Sequence, residues 1–220
     1  MRSVDCVLFD LDGTLIDSVP DIAYCIDLMR AELGLSPPGE ARVRTWVGNG
    51  AERLVHRALT DTFDGVAEAS LFDRGFDLFS QLYQEHTSRL SRLYDGTLGA
   101  LNHLVHAGYK LGCVTNKRGR YTEPLLDALG ILGHFRIVVS GDTLPQKKPD
   151  PEPLLYAAEM LGAAPERTLM VGDSLNDIQA ARAADLPVYC VTYGYNHGRD
   201  IREHAPDRVL NSLAELPALL

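Results

Sequence analysis

Short apolar segments alternate with stretches of helical periodicity along most of this chain. The apolar segments are partly β-branched and are bounded by Gly, Pro, Asp, Asn or Ser, which is typical of buried strands. They span residues 6–9, 111–114, 137–139, 168–171 and 188–191. Helical patterns span residues 98–107, 122–129, 152–161 and 178–184. The first three of these end at a glycine, which suits a helix C-terminus. The alternation predicts an α/β fold with a Rossmann-like, doubly wound parallel sheet.

One part of the chain departs from this alternation. Between residues 19 and 92 helical periodicity is present at 22–33, 51–59 and 71–83, without a convincing strand. We therefore expect an α-helical domain inserted after the first strand. The predicted division is a Rossmann-like core made of residues 1–17 and 92–220, with a helical cap made of residues 18–91.

The composition argues against several classes of partner. The formal net charge is −9, and the 21 Lys and Arg residues form no run longer than the pair Lys147 and Lys148. Nucleic-acid binding and polybasic membrane contacts are therefore not expected. No apolar stretch approaches the ~20 residues of a membrane-spanning helix, and the four cysteines lack C-x-x-C spacing. We expect a cytoplasmic monomer or homodimer with reduced cysteines that acts on a small substrate.

Polar residues follow the ends of the predicted strands. In an open α/β sheet, ligands bind beyond the carboxyl ends of the strands, so these residues are the candidates for a site. They are Asp10 and Asp12 after the first strand, Thr115 and Asn116 after the second, Lys148 after the third, and Asp173 and Asp177 after the fourth. Each alone has an ordinary interpretation as a turn residue, a helix cap or a solvated lysine. Their convergence on one edge of the sheet is harder to explain without a function.

The chemistry of this set favours phosphoryl transfer. Three carboxylates at one edge would repel one another unless a cation lay among them, and hard oxygen ligands favour Mg²⁺. A lysine and a threonine hydroxyl beside that metal would hold an anion with several oxygens, such as a phosphoryl group. Asp10 can then lie at the metal while Asp12 turns towards the leaving group. One aspartate would attack phosphorus and the other would move a proton.

The motifs resemble those of the haloacid dehalogenase superfamily. "DLDGT", Thr115-Asn116, Lys148-Pro149 and "GDSLND" occur in the order of that superfamily's four motifs, and the resemblance spans essentially the whole chain. Further segments resemble the phosphoglycolate phosphatase family within it. They are "DSVPDI", "WVGNGA", "TNK", "GDTLPQKKPDPEPLL" and "TYGYNHG".

The resemblance implies a Mg²⁺-dependent phosphatase that converts 2-phosphoglycolate to glycolate and phosphate through an aspartyl-phosphate. It implies that Asp10 is the nucleophile and Asp12 the general acid and base. It implies that the Asp10 and Asp173 carboxylates and the Asp12 carbonyl hold the metal, with Asp177 as an indirect partner. Phosphoryl binding is implied for Thr115, Asn116 and Lys148. One departure is Arg118, which follows "TNK" where the family pattern has proline.

The resemblance also implies that the helical insertion is a mobile cap of type C1 that closes over the site. The backbone amides of its loop Gly48, Asn49 and Gly50 are candidates for binding the substrate carboxylate, and so are Arg44 and Arg53, which flank this loop. A plain turn with two surface arginines is the alternative interpretation.

Other functions account for part of this motif set. A haloalkanoate dehalogenase needs neither an acid at Asp12 nor a metal, and a phosphonate-cleaving relative needs a cap lysine, whereas all four lysines follow the insertion. A catalytically silent protein with this fold would not need the complete motif set. A phosphatase for a sugar or amino-sugar phosphate, or a β-phosphoglucomutase-like phosphotransferase, stays open because either would share the core residues.

Overall fold

A computed structural model describes residues 4–220 of the chain. Within this range, six parallel strands form one sheet in the order β5-β4-β1-β6-β7-β8, and β2 pairs with β3 in a separate antiparallel ribbon. The strands are β1 (Cys6–Phe9), β2 (Ile16–Asp17), β3 (Arg92–Leu93), β4 (Lys110–Val114), β5 (Ile137–Val139), β6 (Thr168–Gly172), β7 (Val188–Val191) and β8 (Arg208–Leu210). The structure confirms the predicted α/β fold with a parallel sheet.

Helices cover both faces of the sheet and fill the segment between β2 and β3. They are α1 (Val19–Glu32), α2 (Glu40–Arg44), α3 (Ala51–Thr60), α4 (Ala69–His86), α5 (Thr97–His106), α6 (Gly119–Ala128), α7 (Glu152–Met160) and α8 (Leu175–Ala183). Short 3₁₀ helices complete the connections. Because β1 lies between β4 and β6, the residues after these three strands share the carboxyl edge at the centre of the sheet.

The sheet differs from the prediction at its margins. All five predicted strands are present, but β8 and the ribbon of β2 and β3 were missed. These strands have only two or three residues each, too few to show a period. In the helical segment, α2 was not predicted, because five residues also fall below a clear helical period.

Alternate residues of β1 serve the two faces of the sheet. Val7 and Phe9 belong to one hydrophobic cluster, and Cys6 and Leu8 belong to another on the opposite face. All four side chains are fully buried. This is the period of two that a strand imposes, and burial on both faces explains why the segment is apolar throughout.

The helical segment between β2 and β3 has an apolar core of its own. Trp46 and Phe79 are buried in a third cluster formed mainly by α1, α3 and α4, to which Tyr121 and Tyr195 from outside this segment also contribute. At the end of the segment, the buried carboxylate of Asp21 accepts hydrogen bonds from the main-chain N–H groups of Leu90 and Ser91. The helical segment thus begins directly after β2 and ends directly before β3, its antiparallel partner.

No helix within residues 4–220 has the length and apolar character needed to cross a bilayer. The four cysteines are buried and none forms a disulfide. Burial raises the pKa of the Cys6 thiol to about 11, as expected for an unreactive core residue.

Replacing Leu8 with alanine should destabilise the protein strongly. Leu8 is fully buried in the central strand, so L8A should lower the free energy of unfolding by roughly 2–5 kcal/mol. The matched control is L98A, since Leu98 is 46% exposed on α5, and it should change stability by less than about 0.5 kcal/mol. Urea denaturation followed by circular dichroism measures both, and equal losses would contradict the assigned core.

Candidate active site

The residues predicted from the strand ends converge in the structure. Asp10 follows β1, Thr115 follows β4, Lys148 lies in the loop after β5, and Asp173 follows β6. Asp10, Thr115 and Lys148 line one cavity, and a carboxylate oxygen of Asp173 lies within 4.8 Å of one from Asp10. The parallel arrangement of the strands accounts for this convergence.

Lys148 lies at the centre of the cluster. Its Nζ is 2.8 Å from Asp10 Oδ1 and 2.7 Å from Asp177 Oδ1, and it donates to the main-chain carbonyl of Val114 at 2.7 Å. The side chain is 2% exposed. Burial acts to lower the pKa of Lys148, but the two carboxylates outweigh it and raise that pKa, so the ammonium stays charged.

Asp177 is committed to holding other groups of the cluster. It is the third residue of α8 and forms a capping box with Ser174, accepting from the Ser174 main-chain N–H at 3.0 Å and hydroxyl at 2.8 Å. Its second oxygen accepts from Lys148. Both oxygens of this fully buried carboxylate are therefore in use.

Asp173 is fixed by two donors. Its carboxylate accepts from the Thr14 hydroxyl at 2.8 Å and from the main-chain N–H of Tyr195 at 2.6 Å. The backbone of Gly13 and Gly194 passes so close that a Cβ at either position would lie 2.5 Å or less from an Asp173 atom. Gly13 also has φ +92°, a conformation that glycine adopts without strain.

The cluster has an excess of buried negative charge. Burial raises the pKa of Asp10 to about 7, against the opposing effect of Lys148. Burial also raises the pKa of Asp173 well above its ordinary value, and the charges of Asp10 and Asp177 add to this shift. Oxygen atoms of these three carboxylates lie within 4.8 Å of one another. A hard divalent cation fits this donor set, because it would offset the repulsion and the burial.

Asp12 is held by a hydroxyl and an ammonium. Its carboxylate accepts from the Ser18 hydroxyl at 2.5 Å, and both of its oxygens lie 3.1 Å from Lys117 Nζ. The same Nζ donates to the Tyr83 hydroxyl of α4 at 2.5 Å. Sequence reasoning did not assign roles to Ser18, Lys117 or Tyr83. The signals for Lys117 and Ser18 were their places in the segments "TNK" and "DSVPDI".

Thr115 and Asn116 are both buried and lie beside Lys148. The Thr115 Oγ1 accepts a hydrogen bond from the main-chain N–H of Lys117, so its own proton can be donated to a ligand. The side-chain amide of Asn116 donates to the main-chain carbonyls of Gly48 at 3.2 Å and Lys148 at 2.8 Å. That amide therefore links the helical segment to the Lys148 loop.

The loop of Gly48, Asn49 and Gly50 lies over the site. Gly48 and Gly50 line the cavity and have φ +130° and +87°, whereas Asn49 lines an adjacent open pocket. The two arginines that flank the loop are engaged elsewhere. Arg44 pairs with Asp17 and Glu40, and Arg53 donates to the carbonyls of Phe63 and Gly65. Neither arginine lines the cavity.

The cavity has a charged floor and an apolar wall. The wall comes largely from the helical segment, through Ile22, Val47, Leu54, Phe79 and Tyr83, with Tyr121 from α6. The cavity volume is about 60 Å³. The arrangement can hold a small anion against Lys148 and exclude water from it.

Known proteins are similar to this chain in sequence and fold over nearly its whole length. The model of the haloacid dehalogenase-like hydrolases matches residues 4–185. The chain is 51% identical over 220 residues to a phosphoglycolate phosphatase of Nitrosococcus oceani, covering 100% of this chain and 98% of that protein. It is 46% identical to one of Thiobacillus denitrificans, covering 96% and 93%. A crystal structure of a predicted phosphoglycolate phosphatase from Haemophilus somnus superposes with a TM-score of 0.94 at 36% identity, covering 100% of this chain and 99% of that one.

Substituting Asp177 with asparagine should disrupt the cluster. D177N removes the negative partner of a buried ammonium, and the NH₂ group of the asparagine must face either that ammonium or the main-chain donors, so we expect a loss of roughly 3–5 kcal/mol in the free energy of unfolding. The exposed Asp127 supplies the control, since D127N should stay within about 0.5 kcal/mol of wild type. Thermal or urea unfolding measures both. A D177N protein as stable as the control would show that the buried pair is dispensable.

Proposed function

The chain belongs to the haloacid dehalogenase-like hydrolases, and we propose that it hydrolyses 2-phosphoglycolate to glycolate and phosphate. The observation that carries the proposal is the contact of Asp10 with the buried Lys148 ammonium at the floor of a small cavity. The choice of substrate is supported by full-length relatives named phosphoglycolate phosphatase, at 46% and 51% identity.

We propose Mg²⁺ as the divalent metal of this site. The Asp10 and Asp173 carboxylates and the main-chain carbonyl of Asp12 would hold it, with Asp177 acting indirectly through Asp173 and Lys148. Bound there, the metal supplies charge stabilisation to the phosphoryl oxygens. The excess of buried carboxylates supports this assignment, because a cation would offset their mutual repulsion.

The covalent step is assigned to Asp10. Its carboxylate oxygen forms a bond to phosphorus while the bond from phosphorus to the glycolate oxygen breaks, which gives an aspartyl-phosphate and the alcohol. The Lys148 ammonium and the Thr115 hydroxyl would stabilise the negative charge on the transferring phosphoryl oxygens. Because the Asn116 amide is occupied, Asn116 would contribute through its main-chain N–H.

The proton transfers are assigned to Asp12. Asp12 enters the first step in its acid form and gives its proton to the departing glycolate oxygen; the carboxylate that remains then takes a proton from the water that attacks the aspartyl-phosphate, which restores the acid form for the next turnover. That attack releases phosphate and restores Asp10. Ser18 and Lys117 fix the Asp12 carboxylate in the structure, so the group that moves the proton is already oriented.

We further propose that residues 18–91 act as a cap on a catalytic core made of residues 1–17 and 92–220. The helical segment supplies most of the apolar wall, and the ion pair of Glu52 with Arg118 joins its α3 to the start of α6. Closure would exclude water from the phosphoryl group, and opening would release products. A cytoplasmic location is in keeping with the four unpaired cysteines, and we keep a monomer or homodimer as the expected assembly.

Phosphate release from a substrate panel tests the proposed function. With Mg²⁺, kcat/KM should be much higher for 2-phosphoglycolate than for sugar phosphates, an amino-sugar phosphate or p-nitrophenyl phosphate, and a chelator should abolish it. Asp10→Asn should lower kcat by about 10³-fold or more, because the amide cannot attack phosphorus. A preferred sugar phosphate would contradict the substrate, and full turnover by D10N would contradict the covalent step.

Stabilisation by the metal should depend on pH. Below about pH 7 Asp10 carries a proton that a metal must displace, whereas above it the carboxylate is ionised and free to bind. Saturating Mg²⁺ should therefore raise the Tm more at about pH 8 than at about pH 6. Asp10→Asn should show a smaller shift at both pH values because one ligand is lost, and only the part of the pH dependence that comes from Asp173 should remain. Equal shifts of the wild-type protein at the two pH values would contradict the role of Asp10 as a ligand.

A further inference from the structure

Lys117 is a buried cation that the covalent step does not use. Its side chain is 5% exposed, and its Nζ lies 3.1 Å from both Asp12 oxygens and 2.5 Å from the Tyr83 hydroxyl. The ammonium also lies 4.7 Å from the centre of the Tyr83 ring. Burial acts to lower the pKa of Lys117, but Asp12 outweighs it and raises that pKa, so the group is charged. Lys117 therefore presents a positive charge to the cavity that it lines.

The position of Lys117 follows from its contact with Asp12. Asp12 is the group proposed to protonate the oxygen that joins phosphorus to the glycolate, so that oxygen must lie beside the Asp12 carboxylate during the reaction. In 2-phosphoglycolate a single CH₂ separates this oxygen from the carboxylate carbon. A cation in direct contact with Asp12 is thus next to the place where the substrate carboxylate must lie.

The other cations around the cavity are committed. Among the described residues, the cationic side chains that line it are Lys117, Arg118 and Lys148. Lys148 is held by two carboxylates and a carbonyl at the phosphoryl end, and Arg118 is paired with Glu52. Lys117 also has one carboxylate partner, but its side chain is 5% exposed where that of Arg118 is 32% exposed, and of the three cations it alone contacts Asp12.

The remaining wall carries no further cation. It consists of neutral polar groups such as Ser174 and Asn176 and of apolar side chains from α1, α3 and α4, and a carboxylate buried against apolar surface needs a charged partner. The Lys117 ammonium has three donors and can turn one of them from Asp12 to the substrate. Asp12 would keep the Ser18 hydroxyl at 2.5 Å, so its orientation does not depend on Lys117 alone.

We propose that Lys117 binds the carboxylate of the substrate, so that the site selects small phosphate esters with an anionic group one carbon from the ester oxygen. Tyr83 of the helical segment holds the ammonium in place, which makes the carboxylate pocket complete only when this segment is closed over the core. The inference rests on the proposed function. It assigns carboxylate selection to the core loop after β4 rather than to the arginines beside the Gly48 loop.

The test compares two esters on the same enzyme samples. Ethyl phosphate has the two-carbon length of phosphoglycolate without the carboxylate. The ratio of kcat/KM for phosphoglycolate to that for ethyl phosphate does not depend on the fraction of folded enzyme. In Lys117→Met this ratio should fall roughly 10- to 150-fold, as expected when a charge-assisted hydrogen bond is lost. In Tyr83→Phe, which keeps the ammonium, the ratio should fall by less than about 10-fold.

Lys110→Met is the matched control, because Lys110 Nζ donates to the main-chain carbonyls of Leu161 and Gly162. K110M should keep the wild-type ratio of the two kcat/KM values. If K117M lowers kcat/KM for both esters alike and keeps the ratio within about threefold, Lys117 acts only through Asp12 and the inference is wrong. If the wild-type enzyme itself does not prefer phosphoglycolate to ethyl phosphate, the proposed function fails first. The two failures are therefore distinguished by which enzyme shows them.

Discussion

The buried ammonium of Lys148 ties three strands of the sheet to one site. It reaches the residue after β1, the carbonyl at the end of β4 and the first turn of α8, which follows β6. Without it, Asp10 and Asp177 would face each other in a poorly solvated space, a costly arrangement of like charges. The same contact orients the proposed nucleophile and supplies the positive charge that a phosphoryl group needs. Structural integrity and chemistry thus depend on one side chain.

The fold was predictable where a pattern was long enough to show its period. The buried strands were evident because both faces are covered, which makes the segments apolar throughout. The edge strand β8 has three residues, of which Arg208 is exposed, and so carries no comparable signal. The ribbon of β2 and β3 is defined by pairing between segments about 75 positions apart, which no local pattern records.

The same limit applies to the site. Asp10 and Lys148 follow apolar strands of one parallel sheet, so topology alone brings them together. The contact of Lys117 with Tyr83 depends on how α4 packs over the core, 34 positions away in the sequence. A sequence pattern also cannot show which groups are already occupied. Arg44 and Arg53 were candidates for binding the substrate carboxylate because they flank the Gly48 loop, yet both make contacts outside the cavity.

The ribbon of β2 and β3 brings the two ends of the helical segment together. The chain departs at Ile16–Asp17 and returns at Arg92–Leu93, and these two stretches lie side by side in an antiparallel pair that the Asp21 carboxylate reinforces. The six-stranded sheet is built from β1 and β4 to β8 and takes no strand from the helical segment. A helical segment of another length could therefore be inserted at this pair without shifting any strand of the sheet.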